Sequence, residues 1–205
     1  MVVFPPEIRP LPEARTAHGP RRPAVFFDRD DTLIENATLP AEAFAGTPGD
    51  VADPAWIRPL PGAVEACARA VSLGYAVLLV TNQGVVARGG ASLDEVEAAC
   101  EHTIEVLGPG IEACFACPFH PRGTGPAEFC REHVWRKPQP GMLLAAGDLL
   151  GLDLRRSWMV GDAARDVEAG EAAGMPASQC LLLSDEMTLA AALDRIARHP
   201  VSAHG

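Results

Sequence analysis

"AVFFDRDDTLIEN", residues 24–36, decides how this chain is read. A short apolar run, of the kind that forms a strand buried on both faces, ends in Asp28, Asp30 and Asp31. Carboxylates this close repel one another, and each costs stability unless something offsets its charge. Either the three are fully solvated or they hold a cation.

Working outward, the same kind of run recurs at 75–81 (YAVLLVT), 112–117 (EACFAC), 157–162 (SWMVGD) and 179–184 (QCLLLS). Helical patterns separate these runs, at 61–74, 92–108, 141–151, 165–174 and 186–199. The second opens on a capping box, Ser92 with Glu95, and stops at Gly108. Strands alternating with helices predict an α/β fold, a doubly wound parallel sheet in one domain over 24–200. Residues 1–23 are rich in Pro and Arg and read as an extended tail, partly packed on the domain. Two segments fit neither pattern: 36–60, rich in Pro, Gly and Asp, and 114–140, rich in Cys, His and Pro.

The bulk composition narrows the partners. At 205 residues, with 48% hydrophobic and 21% charged residues, the chain is long enough and apolar enough for one folded core. A formal charge of −10 argues against nucleic acid and anionic membrane, which need a basic surface. The N-terminal stretch lacks the continuous apolar core of a signal peptide, and no run reaches membrane-span length. The expected location is the cytoplasm, where six cysteines are thiols or metal ligands, and the expected state is a monomer.

In doubly wound sheets ligands bind beyond the carboxyl ends of the strands. Asp28 ends one predicted strand, Thr81 another (LLVTNQG) and Asp162 a third (VGD). A lone Asp there is ordinary; three polar ends, one carrying Asp-x-Asp, point to a site. Two carboxylates and a backbone carbonyl are hard oxygen ligands suited to Mg²⁺, with water and phosphate completing the shell. Of the 17 basic residues only Lys137 is lysine, in "WRKPQPGM". A compact ammonium fits between a phosphoryl oxygen and a carboxylate where a guanidinium does not.

The strings "FFDRDDTL", "LLVTNQG", "RKPQPGM" and "MVGDAARD" resemble, in order, the four motifs of the haloacid dehalogenase (HAD) superfamily of phosphatases. The resemblance spans about residues 24–184 and implies a Rossmann-like HAD fold without a large cap domain. Within the superfamily, the longer strings are similar to the branch of heptose-bisphosphate and histidinol-phosphate phosphatases. It implies Asp28 as nucleophile, Asp30 as acid and then base, and Thr81 and Lys137 as holders of the phosphoryl oxygens. Asn82 and Arg136 would contact substrate; Arg136 is otherwise a surface ion pair. Mg²⁺ would sit on the side chains of Asp28 and Asp162 and the backbone carbonyl of Asp30. The implied substrate is a small phosphorylated sugar, with the 7-phosphate of a heptose 1,7-bisphosphate as first choice and histidinol phosphate as the alternative. A nucleic-acid-end phosphatase and a non-catalytic binding module are further alternatives.

Two departures from the motifs stand out. Asp31 occupies a position where the family usually has Gly, and Asp tolerates left-handed backbone better than most residues. Ala163 follows Asp162 where relatives often have Lys, leaving Asp166 either as an extra carboxylate near the metal or as a cap of the next helix. In 36–60, Trp56 and Arg58 are candidate substrate contacts, or packing residues.

Cys117, His120, Cys130 and His133 read C-x2-H-x9-C-x2-H, two close ligand pairs that fit a closed, structural Zn²⁺ site over 114–136. Cys114 could replace one ligand. Relatives often carry a zinc loop here with different spacing, so the site is either rebuilt or lost. Cys67, Cys100 and Cys180 lie in apolar elements and read as core.

Overall fold

The computed structural model describes residues 1–14, 21–45, 47–199 and 201. Six strands form one parallel sheet: β1 (Val2–Val3), β2 (Ala24–Phe27), β3 (Ala76–Asn82), β4 (Ile111–Cys117), β5 (Trp158–Gly161) and β6 (Cys180–Leu182). Their order across the sheet is β1-β4-β3-β2-β5-β6. Five helices fill the connections: α1 (Ala63–Ser72), α2 (Leu93–Leu107), α3 (Gly141–Leu150), α4 (Ala164–Ala172) and α5 (Leu189–Ala197).

The apolar runs become strands because both faces are covered. All four residues of β2 are buried, as are all four of β5 and the first six of β3. By the right-handed crossover rule of parallel sheets, α1 and α2, which link β2 to β3 to β4 and touch each other, lie on one face. The return through α3 to β5, and on through α4 to β6, lays those two on the other. After β6, α5 comes back to pack on α1, where Arg69 meets Asp194 at 2.7 Å. The direction of winding therefore reverses between β2 and β5, which pair through Val25–Trp158, Phe26–Met159 and Phe27–Val160. That is the switch point at which such sheets open a crevice.

The capping box of α2 forms as expected: the Ser92 hydroxyl accepts from Glu95 N at 3.2 Å, and Ser92 N donates to the Glu95 carboxylate at 2.7 Å. The sixth strand is the departure from the sequence reading. Val2 and Val3, in the stretch read as a tail, pair with Cys114 and Phe115 of β4 and cover the sheet edge. Val3 and Phe4 are buried, and Arg9 anchors the segment on α2 through Asp94 (2.9 Å) and Glu97 (2.5 Å). Two residues were too short a run to register as a strand beside so many prolines. Among the described residues, no helix is long and apolar enough to cross a membrane.

Candidate active site

Three loops at the carboxyl edge of the sheet deliver the site. Asp28 directly follows β2, and its N–H donates to Val160 O of β5 at 2.9 Å, fixing it at the switch point. Asp162 directly follows β5. Lys137 arrives from the loop before α3, held through Asn82: the Asn82 amide donates to Lys137 O and accepts from Lys137 N, both at 3.0 Å. Asn82 thus holds the Lys137 backbone from both ends of its amide.

The Lys137 ammonium donates to Asp28 Oδ1 at 2.6 Å and to Val80 O at 2.8 Å, and lies 2.6 Å from Asp166 Oδ1. All three charged groups are buried. Burial alone would lower the Lys137 pKa, but Asp28 and Asp166 outweigh it and hold the ammonium above the usual lysine value. Asp166 reaches the cluster because Gly161 has no side chain: a Cβ there would come within 2.5 Å of the Asp166 carboxyl group. The same residue caps α4, its Oδ2 accepting from Ala163 N at 3.1 Å. Asp166 thus caps α4 and at the same time stands beside the Lys137 ammonium.

Asp28, Asp162 and Asp166 offer oxygens that lie within 4.8 Å of one another. Burial, and then the charges of Asp28 and Asp166, push the Asp162 pKa up to about 7. Its Oδ1 is buried without a hydrogen-bond partner. Hard, crowded, under-satisfied oxygens of this kind fit a small divalent cation such as Mg²⁺. Asp162 also lines a cavity of about 360 Å³ with Asp31, Thr32, Leu183 and Met187. A larger cavity, about 450 Å³, opens at the other end of the sheet around Tyr75, Arg155 and Trp158, and no predicted site residue lines it.

Asp30 is gripped on both oxygens. Oδ1 accepts from Arg29 Nε (2.9 Å) and Nη2 (2.7 Å), and Oδ2 accepts from Gln83 Nε2 (3.0 Å) and Thr81 Oγ1 (3.3 Å). Gln83 also donates to Thr81 Oγ1 at 2.7 Å. Sequence reasoning passed over Arg29 and Gln83, although each sits inside a quoted motif. A lone basic residue between Asp28 and Asp30, directly after a buried strand, is the available signal for Arg29. Asp31 takes the left-handed backbone expected at its position, φ 57°, and its Oδ1 accepts from Asn36 N (3.1 Å) and Ala37 N (2.7 Å).

Arg136 turns its guanidinium toward Phe119 O at 3.1 Å. Trp56 and Arg58 stack on each other at 5.1 Å. The 36–60 segment is seated by Asn36 donating to Gly49 O (3.2 Å) and by Arg88 Nε donating to Asp50 (2.7 Å).

The predicted zinc ligands do not converge. Among the described residues, the one cluster of metal-ligating side chains is the aspartate triad. Burial pushes the Cys117 thiol up to about 12, and Cys130 Sγ lies against the carbonyls of Ala87 (3.4 Å) and Pro126 (3.3 Å). His120 Nδ1 accepts from Arg122 N at 3.0 Å. Burial and the charges of Arg136, Arg88 and Arg122 lower the His120 pKa, and the same arginines repel a cation. His133 spends both ring nitrogens, Nδ1 on Trp135 N at 3.1 Å and Nε2 on Glu7 at 2.6 Å, and stacks on Phe119 at 4.2 Å. Aromatic stacking and ion pairs close this loop, and the spacing that suggested Zn²⁺ does not become a ligand set.

A doubly wound sheet with an Asp-x-Asp at its switch point, a buried lysine and further aspartates across the crevice defines a HAD-type hydrolase. A family model described as HAD-hydrolase-like matches residues 134–202. The D-glycero-β-D-manno-heptose-1,7-bisphosphate 7-phosphatase of Rhodopseudomonas palustris is 39% identical over 165 residues, covering 78% of this chain and 84% of the relative. A HAD-like phosphatase of Mesorhizobium loti superposes with a TM-score of 0.74 at 32% identity, over 91% of each chain. The D,D-heptose 1,7-bisphosphate phosphatase of B. bronchiseptica, solved with magnesium and phosphate, shares the fold at a TM-score of 0.63 and 24% identity, over 86% of this chain and 98% of that one. The chain belongs to the HAD-like phosphatases, in the branch of the D-glycero-β-D-manno-heptose-1,7-bisphosphate 7-phosphatases.

Proposed function

We propose that this chain is a Mg²⁺-dependent phosphatase acting through an aspartyl phosphate on Asp28, with the 7-phosphate of D-glycero-β-D-manno-heptose 1,7-bisphosphate as the group removed. One observation carries the chemistry: Asp28, Lys137 and Asp162, from three separate loops, and Asp166, from the first turn of α4, meet at the switch point. The substrate class is supported by the activity for which the R. palustris relative is named.

Asp28 attacks phosphorus in line with the sugar oxygen that leaves. Lys137, already desolvated against Asp28, offsets the charge spread over the phosphoryl oxygens, and Thr81 donates from the opposite side. Asp30 gives its proton to the departing alkoxide and then takes one from the water that hydrolyses the aspartyl phosphate. Asp28, Asp162 and the backbone carbonyl of Asp30, with Asp166 alongside, are the residues that would hold Mg²⁺. The cation supplies charge neutralisation and alignment of nucleophile and phosphate. Selection of the sugar falls to the seated 36–60 segment and to Arg136.

The test is phosphate release with Mg²⁺ from the heptose bisphosphate, histidinol phosphate and fructose 1,6-bisphosphate, with Asp28→Asn as blank. Preference in kcat/KM for the heptose by about tenfold or more is expected. Equal turnover of the three contradicts the substrate assignment, and turnover by Asp28→Asn contradicts the mechanism.

A further inference from the structure

Arg29 stands between Asp28 and Asp30 and is wholly buried. A guanidinium out of water is costly unless its N–H groups and charge are met. Two N–H groups converge on a single oxygen, Asp30 Oδ1, at 2.9 and 2.7 Å. Nη2 also donates to Val51 O at 2.9 Å, and Nη1 points to the Cys100 thiol at 3.9 Å. The carboxylate of Asp30 is thus divided: Oδ1 is gripped from inside the core, while Oδ2 faces Thr81 and Gln83.

We infer that Arg29 is a positioning residue for proton transfer, fixing the orientation in which the Asp30 carboxyl group is presented to the leaving oxygen. The inference rests on the reading of Asp30 as acid and base given above. A guanidinium donates only and does not release its proton at working pH. Two of its N–H groups on one oxygen pin Oδ1, and the carboxyl group thereby holds Oδ2 on the Thr81 and Gln83 side. In the first step the Asp28 oxygen–phosphorus bond forms, the phosphorus–alkoxide bond breaks, and Asp30 gives its proton to the alkoxide. In the second, water oxygen bonds to phosphorus, the Asp28 oxygen leaves, and a water proton returns to Asp30. Arg29 takes no part in either exchange of bonds. Its link to Val51 also ties the acid to the 36–60 segment, so seating of that segment and aim of the acid share one anchor.

The experiment reads how strongly phosphorylation depends on the leaving group. Single-turnover rates with Mg²⁺ are measured for p-nitrophenyl, phenyl and benzyl phosphate, in wild type, Arg29→Lys, Arg29→Met and Asp30→Asn. Nitrophenolate departs unaided, whereas benzyl alkoxide needs a proton. Arg29→Lys is expected to lose on the order of 10²-fold with benzyl phosphate and less than about threefold with p-nitrophenyl phosphate, with KM little changed. In the Asp30→Asn background the same substitution is expected to cost nothing further. Proportional losses on all three substrates, or equal losses in both backgrounds, overturn the inference. Arg29→Lys keeps charge and approximate volume and carries the test should Arg29→Met fail to fold. Wild type releasing no phosphate from the three esters or from the heptose bisphosphate overturns the phosphatase reading itself, before any Arg29 variant is compared.

Discussion

Lys137 and Asp28, 109 residues apart in the chain, meet at 2.6 Å in the interior, and the same ammonium also lies 2.6 Å from Asp166. One cation therefore balances buried carboxylates on two sides of the switch point. The position needs a compact charge, which agrees with the single lysine in a chain otherwise basic through arginine.

Lys137→Ala should lower kcat by about 10²–10³-fold, the usual cost of removing one charge-stabilising donor. It should also destabilise the metal-free protein by about 3–5 kcal/mol, because Asp28 and Asp166 are left buried and unpaired. Lys137→Arg should not restore activity. Chemical denaturation and steady-state kinetics check both parts; an active Lys137→Arg would contradict the requirement for a compact ammonium.

Asp162 gives the metal-free protein a defined pH dependence. Its pKa of about 7 stands above the ordinary carboxylate value of 3.8. Between about pH 4 and about pH 7 the native state keeps a proton that the unfolded chain has released. The stability due to this group is full below that window and is lost as pH rises through it. Mg²⁺ favours the ionised carboxylate, so the rise in Tm on adding Mg²⁺ should grow from about pH 5 to about pH 7.5. A Mg²⁺-induced shift independent of pH, or one retained in full by Asp162→Asn, would count against the site.

Much of this arrangement was legible before the structure. Asp28, Thr81 and Asp162 announce themselves because polar residues closing apolar runs are conspicuous, and the winding rule for parallel sheets brings those ends to one edge; Lys137 announces itself as the single lysine. The capping box of α2 is read from two residues three positions apart, and local signals of that kind survive folding. What stayed hidden depends on contacts across the fold. Val2 and Val3 become a strand only because β4 offers an open edge. That both ends of the Asn82 amide meet the Lys137 backbone, 55 residues on, has no sign in the sequence. The C-x2-H-x9-C-x2-H spacing misleads for the same reason, since spacing does not reveal that Glu7 and Phe119 have already claimed His133.

The Cys/His loop should accordingly hold little zinc. Protein purified without chelator is expected to carry less than about 0.1 zinc per chain by metal analysis. Cys117, with its thiol pushed up to about 12, should resist alkylation at neutral pH until the protein unfolds. Stoichiometric zinc whose removal lowers Tm would contradict the loop as described.

Asp31 offers a separate test of backbone chemistry. Asp31→Gly relieves the left-handed strain but forfeits two accepted hydrogen bonds, and should change stability by no more than about 1 kcal/mol. Asp31→Ala keeps the strain and loses the bonds, and should cost about 1–3 kcal/mol. Urea unfolding of the two variants side by side reads the difference; an Ala variant as stable as the Gly variant would show that the left-handed conformation carries no cost.

The central claim is that Asp28 carries phosphate during turnover. Acid quench of the Mg²⁺ enzyme within its first turnover, followed by peptide mass spectrometry, measures this directly. The account predicts phosphate on the peptide containing Asp28, removed by hydroxylamine and absent from Asp28→Asn. A wild-type enzyme that turns over with no phosphate on Asp28 under any quench, or an Asp28→Asn protein that releases phosphate at the wild-type rate, would contradict it.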